Sequence, residues 1–206
     1  MASYTITRLL PQRHYAEENV INMFSLDTVT GEAGSLVKIS SANLDLDPVA
    51  LVTRGDSLGF QNYLGNATSL YPEVPYKVTK VQTTGERPLG ILLRDVRSVD
   101  ENGENLQYCP RKKQELQCVI SGEAVPILTR GIVTINAKGL AGGLAPAINS
   151  YAIPAANGTL TGVAFASASA TQKEYAVGKF IATGQRESQQ DTDEYAGVYA
   201  VLKLEL

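Results

Sequence analysis

The feature that most constrains the fold of this chain is an alternation of apolar and polar residues with a period of two. Near the C-terminus, Ala200, Leu202 and Leu204 share one side of this alternation, and Tyr199 and Lys203 share the other. Successive side chains of an extended chain point in opposite directions, so the pattern is typical of a half-buried β-strand. It recurs at residues 3–10, 20–26, 36–39, 49–53, 76–82, 89–96, 115–120, 124–136, 160–166, 177–183 and 198–206.

Turn-forming residues separate these runs. Asn-Gly pairs at residues 102–103 and 157–158 each lie between two strand-like runs, and Asn-Gly is the strongest short-range signal of a β-hairpin. Helix signals are few, and residues 138–146 predict a loop because they contain three glycines and a proline. We therefore predict an all-β fold, a barrel-like sandwich of short antiparallel strands with an extended N-terminal arm.

The N-terminal part lacks the clean alternation of the rest. Residues 43–56 and 57–71 show no clear period, and the second stretch mixes apolar residues with turn residues. We predict that residues 1–85 form an N-terminal arm with additional strands. Residues 86–206 are predicted to form a β-barrel domain.

Within this arm, residues 2–19 carry side chains suited to contact with a neighbouring subunit. Aromatic residues and arginine are enriched where protein interfaces gain most of their binding energy. The alternative is that the segment forms the first strand of the same domain. The predicted interface residues are Tyr4, Arg8, Leu9, Leu10, Arg13 and Tyr15.

The residues that carry most enzyme chemistry are sparse. His14 is the single histidine, so a nucleophilic triad would have to be built around it. Asp100, Asn102 and Glu104 resemble part of a calcium loop but lack the bidentate glutamate that completes one. No P-loop, dinucleotide-binding or metalloprotease motif occurs. We predict no catalytic residues, no cofactor and no metal.

Charge and hydropathy argue against two classes of partner. The net charge is -3, and the basic residues are dispersed apart from Arg111, Lys112 and Lys113, which are predicted to lie in a turn. Nucleic-acid binding needs a basic stripe, and a membrane-spanning helix needs about 20 apolar residues. The sequence has neither, so we expect no nucleic-acid partner and no membrane partner.

Cysteine usage bears on the cellular compartment. Cys109 and Cys118 flank a polar loop at residues 110–117 and would face each other if that loop closed a hairpin. The first residues show no export signal, so we expect synthesis and action in a reducing cytosol. Such a compartment favours free thiols over a disulfide, although the spacing leaves both states open.

The second half carries an ordered pattern of glycines and strand faces. A strand begins at Gly90, a second unit contains Gly122 and the Gly131-Ile132 pair, and a strand beginning at Gly178 precedes the final alternating strand. The order of these segments resembles the small capsid cement, or head decoration, proteins of tailed bacteriophages. The matching elements are residues 90–93, 122–125, 129–132, 137–146, 150–153, 157–158, 178–182 and 198–206.

This resemblance implies a structural virion protein that binds the outside of an assembled capsid and stabilises it. The implied partner is the major capsid protein, with self-association as a trimer or, alternatively, as a dimer. The implied location is the capsid surface of the virion, after synthesis in the host cytoplasm. The resemblance covers residues 88–206, and the first 85 residues depart from it.

Three other functions compete with this one. A different β-rich virion component, such as a tail-tube, head-tail adaptor or fibre-base protein, is the first; a tail-tube protein should show a long hairpin, and none is obvious. A small-ligand or carbohydrate-binding β-barrel is the second; it should show an aromatic cluster, but tryptophan is absent and the ten tyrosines are scattered. The third, a hydrolase on a β scaffold, is disfavoured by the single histidine.

Overall fold

The computed structural model describes residues 8–41, 76–187 and 196–206, and it confirms the predicted all-β class. Two short helices, α1 (Pro110–Glu115) and α2 (Ala170–Glu174), interrupt the strands. The strands are β1 (Leu9–His14), β2 (Val20–Leu26), β3 (Leu36–Ser41), β4 (Lys77–Lys80), β5 (Gly90–Leu92), β6 (Asp95–Val96), β7 (Cys118–Val119), β8 (Ala124–Leu128), β9 (Arg130–Asn136), β10 (Tyr151–Pro154), β11 (Leu160–Val163), β12 (Gly178–Arg186) and β13 (Gly197–Glu205).

Five strands close into a barrel in the order β2-β4-β3-β5-β8. All neighbouring pairs are antiparallel except β2 and β4, which run parallel with Leu26 opposite Val78. The predicted antiparallel pairing therefore holds for every neighbouring pair of this barrel except β2 and β4. A ring with an odd number of strands cannot alternate direction all the way round, so one neighbouring pair has to be parallel. Phe24, Leu92 and Ile127 belong to the apolar cluster of this barrel.

Six other strands form an antiparallel sheet in the order β1-β9-β13-β12-β10-β11. Its buried side contributes Ile135, Leu202 and Phe180 to a cluster that also contains Leu36 and Leu128 from the barrel strands. The sheet and the barrel therefore share one hydrophobic core. A short parallel pair, β6 and β7, completes the strand pairing among the described residues.

The chain passes between sheet and barrel at two adjacent points. The first is the connection from β1 to β2, which ends at Asn19, and the second is Thr129, the single residue between β8 and β9. Thr129 donates both its backbone N–H and its hydroxyl to the Asn19 carbonyl, each at 2.9 Å. The Thr129 carbonyl accepts the N–H of Leu206 at 3.2 Å. These bonds hold the two crossings and the C-terminal residue together.

The N-terminal segment is built into this fold from residue 9 onward. β1 pairs with β9, where Leu9 lies opposite Ile135, and β2 and β3 are barrel strands. Over these residues the chain forms a first strand of the same domain, which was the predicted alternative to an extended arm. The predicted boundary between residues 85 and 86 falls between strands of one closed barrel. Residues 2–7, and the strand predicted at residues 49–53, lie outside the described residues.

Both predicted Asn-Gly turns are present. β10 and β11 form a hairpin in which Asn157 and Gly158 have φ values of 56° and 68°. Positive φ at two successive central residues is the requirement of the turn type that Asn-Gly favours in hairpins. At the other turn, Gly103 has a φ of 83° and an antiparallel bridge joins Val99 to Asn105.

The last two strands form a long hairpin that the sequence did not predict. β12 and β13 are nine residues each, and they pair from Gly178 opposite Leu204 to Arg186 opposite Gly197. Pairing of β9 with β13 ends at Tyr199, so the end of the hairpin projects beyond β9. The connection between the two strands is too long to carry a tight-turn signature, so no local pattern indicated that they form a hairpin.

Two predicted loops contain helical turns. The polar stretch at residues 110–117 includes α1. This helix begins at Pro110, in its first turn, where backbone N–H groups have no acceptor within the helix, so the proline costs no helical hydrogen bond. The Gly-rich stretch at residues 138–146 includes two 3-10 turns, Ala137–Gly139 and Ala141–Gly143. The Asn136 side chain accepts the N–H groups of Lys138 and Gly139 and so caps the first of these turns.

Candidate functional site

Most of the predicted interface residues are used inside the fold. Leu9 and Leu10 are both buried, and Leu9 belongs to the cluster shared by the sheet and the barrel. They are not available as anchors for a neighbouring subunit, which corrects the prediction made for them. Tyr15 is 40% exposed just after β1 and stays a candidate contact. Tyr4 lies outside the described residues.

The two arginines predicted to reach a partner's carboxylates are also engaged within the chain. Arg8 forms an ion pair with Glu32 at 3.2 Å and donates to the Asn157 carbonyl at 2.8 Å. Arg13 donates to the carbonyls of Leu10 and Leu93, each at 3.3 Å. Their roles in the described structure are therefore intramolecular.

Arg8, Glu32 and Lys80 form a charged cluster between the sheet and the barrel. Glu32 accepts a hydrogen bond from Lys80 at 2.8 Å as well as pairing with Arg8. Partial burial by itself would raise the pKa of the Glu32 carboxyl. The hydrogen bond from Lys80 and the charges of Arg8 and Lys80 outweigh that effect and hold the pKa below its ordinary value of 4.5. The cluster therefore ties three segments of the fold together.

The residues that resemble part of a calcium loop are organised around a lysine. Asp100 accepts the backbone N–H groups of Asn102 at 2.9 Å and Glu104 at 2.7 Å. The Lys112 ammonium pairs with both Asp100 and Glu104. The Lys112 hydrogen bond holds the pKa of Asp100 below its ordinary value. The place of a cation is thus taken by a side chain, and no metal-binding group of three or more His, Cys, Asp or Glu occurs in the described parts of the chain.

The basic cluster and the cysteines lie on or beside α1. Lys112 is paired as described, and Lys113 pairs with Glu123 at 2.9 Å, so these charges are partly neutralised within the chain. Cys109 and Cys118 are both free thiols in the structure. Burial raises the pKa of the Cys118 thiol. His14 is exposed at the end of β1, opposite Ile132.

The connection between β9 and β10 contains a loop that is fixed by a buried proline. Pro146 packs against β11 at Gly162, where an added Cβ would lie 2.5 Å from the proline Cβ. Just after the loop, the buried Ser150 donates its hydroxyl to the Ala147 carbonyl at 2.6 Å and its backbone N–H to the same carbonyl at 3.1 Å. These contacts hold the loop in one conformation against the edge of the sheet.

This loop, residues 143–148, presents two large apolar side chains to solvent, and we call it the apolar loop. Leu144 and Ile148 are each two residues from Pro146, and they are 75% and 59% exposed. Exposed apolar groups held by a rigid backbone lose little conformational entropy when a partner covers them. Leu144 and Ile148 are not among the predicted interface residues, although two apolar residues placed two positions either side of a proline are visible in the sequence.

A scan against protein-family models found no match, and searches of curated proteins and of solved structures found none either. Among the described residues, no helix is both long and apolar enough to cross a membrane. Inference about function therefore rests on the fold and on the surface described above.

Proposed function

We propose that this chain is a structural protein that binds the outside of an assembled phage capsid and stabilises it, without catalysing a reaction. The observation that carries the proposal is the apolar loop, in which Leu144 and Ile148 are exposed on a backbone fixed by Pro146. A subunit that binds a preformed surface gains affinity when its contact residues are already held in their bound positions. The loop supplies such a contact.

The positions of the glycines support the same proposal. Gly122 has a φ of 92° in the turn before β8, and Gly178 begins β12, where a side chain would meet the backbone of β13. The chain resembles capsid cement proteins in the order of its glycines and strands. At Gly122 and Gly178 the strands and turns of the fold need a glycine at the position where this order contains one. The apolar loop lies in the Gly/Ala-rich connection of that pattern.

The proposed partner is the major capsid protein in its assembled form. A protein that binds the shell and not its free subunits shifts the assembly equilibrium towards the shell. Many copies on one particle act together, so a modest affinity at each site still gives high occupancy. A trimer over a local three-fold axis matches this geometry, and a dimer is the alternative. The proposed location is the capsid surface.

The test is to strip this protein from particles that carry it, add it back, and follow heat-induced release of DNA. We expect added wild-type protein to restore heat resistance. Leu144→Asp should fail to restore it, because an aspartate cannot be buried in an apolar contact without a partner. Val29→Asp is the matched control, since Val29 is 62% exposed elsewhere on the surface.

Both variants should keep the wild-type thermal unfolding transition, because both residues project into solvent. Restored resistance with the Val29 variant and not with the Leu144 variant supports the proposal. Unchanged particle stability at saturating wild-type protein would contradict it. If the two variants restored heat resistance equally, the apolar loop would not be the contact on which the proposal rests.

A second candidate function, a tail-tube subunit, is favoured by the β12–β13 hairpin. A tube protein needs a long hairpin to line a ring, and this hairpin projects beyond β9 at Gln185 and Val198. Electron microscopy of the purified protein distinguishes the two candidates. Rings or tubes formed without any capsid would favour the tail-tube function, whereas discrete small oligomers that bind only capsids would favour the capsid function.

A further inference from the structure

A pocket of about 490 Å³ opens where β10, β12 and the end of β13 meet. Its floor includes Tyr151 and Lys179, which lie opposite each other on β10 and β12. Side chains of directly opposed residues share one face of a sheet, and Lys179 is exposed, so this is the solvent-facing side. The volume lies within the range of roughly 300–1,000 Å³ that is usual for small-molecule sites.

An aromatic pair forms one wall of the pocket. Phe165, in the segment that follows β11, stacks on Tyr151 with the ring centres 5.5 Å apart and the ring planes 25° apart. Lys173 of α2 places its ammonium 5.1 Å from the centre of the Phe165 ring. Phe165 is nevertheless 64% exposed. The ring is therefore held in position, and the part of its surface that Tyr151 and Lys173 do not cover stays available to a ligand.

The other polar groups of the pocket are two lysines, a carboxylate and an amide. Among the described residues, neither Lys173 nor Lys179 forms an ion pair. Glu205 lines the pocket too, but its carboxylate is paired with Lys203. Lys179 acts on the Glu205 carboxylate only as a nearby charge and not as an ion-pair partner, so within the described residues both pocket lysines can still pair with an anionic ligand group. Asn149 adds an amide that both donates and accepts hydrogen bonds.

We propose that this pocket binds an acidic sugar, a pyranose that carries one carboxylate, such as a uronic acid unit of a polysaccharide. The C–H face of the sugar packs on Phe165, its carboxylate lies near Lys173 and Lys179, and its hydroxyls donate to Glu205. The proposed capsid contact uses other side chains, those of Leu144 and Ile148.

The combination of charges favours a sugar acid over a nucleotide. A nucleotide would use the same ring and the same lysines, but its phosphate carries up to two negative charges and few hydroxyl donors. The Glu205 carboxylate would repel that phosphate and would find few donors on it. A uronate has a single negative charge and several hydroxyls, which makes Glu205 a useful acceptor. A ligand with one negative charge and several hydroxyls therefore matches the two lysines and the carboxylate of this pocket better than a phosphate does.

The test is a titration of the full-length protein with methyl glucuronide, followed by NMR. We expect saturable binding at millimolar concentration and binding about tenfold weaker for the neutral methyl glucoside, which lacks the carboxylate. Phe165→Ala should weaken the binding of methyl glucuronide about tenfold. Replacing Lys173 and Lys179 together by Gln should remove the preference for the acid over the neutral sugar.

Two control variants probe the surface outside the pocket. Val29→Ala removes an exposed apolar side chain, and Lys138→Gln removes an exposed lysine charge. Both should leave the titration unchanged. The proposal is overturned if methyl glucuronide does not bind, if adenosine monophosphate binds more tightly, or if Phe165→Ala binds as well as the wild type. Each measurement needs only the purified protein, so failure here would leave the capsid experiment unaffected.

Discussion

Leu202 lies in the middle of β13, with no exposed surface, and it belongs to the core shared by the sheet and the barrel. Leu202→Asp would place a carboxylate among apolar side chains without a partner. We expect the free energy of unfolding to fall by about 4 kcal/mol, measured by urea denaturation. Leu206→Asp is the control, because Leu206 is 47% exposed at the end of the chain. Wild-type stability in the Leu202 variant would mean that the core is wrongly placed.

Glu32 predicts how stability depends on pH. Its pKa is lowered in the folded protein, so its ionised form stabilises the fold above the unfolded-state pKa of about 4.5. That contribution is lost as the pH falls through the lowered folded-state pKa. We expect Glu32→Gln to be less stable than the wild type at neutral pH and to lose less stability on acidification. Urea denaturation from pH about 7 down to about 3 measures both slopes.

The control for this experiment is Glu18→Gln, because Glu18 is exposed in the 3-10 turn before β2. It should follow the wild-type profile. Parallel acid profiles for the wild type and Glu32→Gln would show that the cluster with Arg8 and Lys80 does not control acid stability.

Residue roles at the surface were harder to predict than residues of the core. Leu202 could be assigned to a buried face from its position in the alternation, because period two fixes which side chains share a side. Arg8 could not be assigned, since its partner Glu32 and its acceptor on Asn157 are distant in the sequence. The pairing of Tyr151 with Phe165 likewise depends on how β11 and its following segment fold back.

At the scale of single elements, the start of β12 depends on a glycine. Gly178 has a φ of 156°, and a Cβ there would collide with the Lys203 carbonyl oxygen on β13. We expect Gly178→Ala to separate the strands at this point and to lower the melting temperature by several degrees, roughly the effect of 1–3 kcal/mol. Differential scanning calorimetry measures the shift.

Gly85→Ala is the matched control, because a Cβ at residue 85 meets nothing within 4 Å. It should melt like the wild type. If Gly178→Ala were equally neutral, the close approach of the two strands at Lys203 would be wrong.

Strands were predictable where one face is buried, and so were the two Asn-Gly turns, but the other connections were not. The strand predicted at residues 20–26 agrees with β2 at both ends. α1 was missed because its residues are polar on all sides and give no periodic apolar signal. The parallel pairing of β2 with β4 follows from barrel closure. Closure depends on all five strands together, so no short stretch of sequence indicates this pairing.

At the scale of the whole molecule, the shared core predicts a single cooperative unit. The barrel takes β2, β3 and β4 from the first 85 residues and β5 and β8 from the rest. A fragment of residues 86–206 would lack three of the five barrel strands and would expose Leu128 and Ile91. We expect this fragment to show no cooperative thermal transition, whereas the full chain should unfold in one.

Circular dichroism at rising temperature makes this comparison directly. A fragment that melts cooperatively with a native-like β spectrum would show that residues 86–206 fold as a separate domain, as the sequence pattern predicted.

The sheet order β1-β9-β13 has a consequence for the synthesis of the protein. All five barrel strands have been translated by residue 128, but β13, which lies between β9 and β12, is translated only after all the other described strands of its sheet. Chains fold from the N-terminus as they leave the ribosome, so the barrel can close while β9 and β12 still have open edges. A message that ended before residue 197 would release a chain with a complete barrel and an unfinished sheet. Open strand edges of this kind recruit other chains, so premature termination would yield aggregates in place of a shorter working protein.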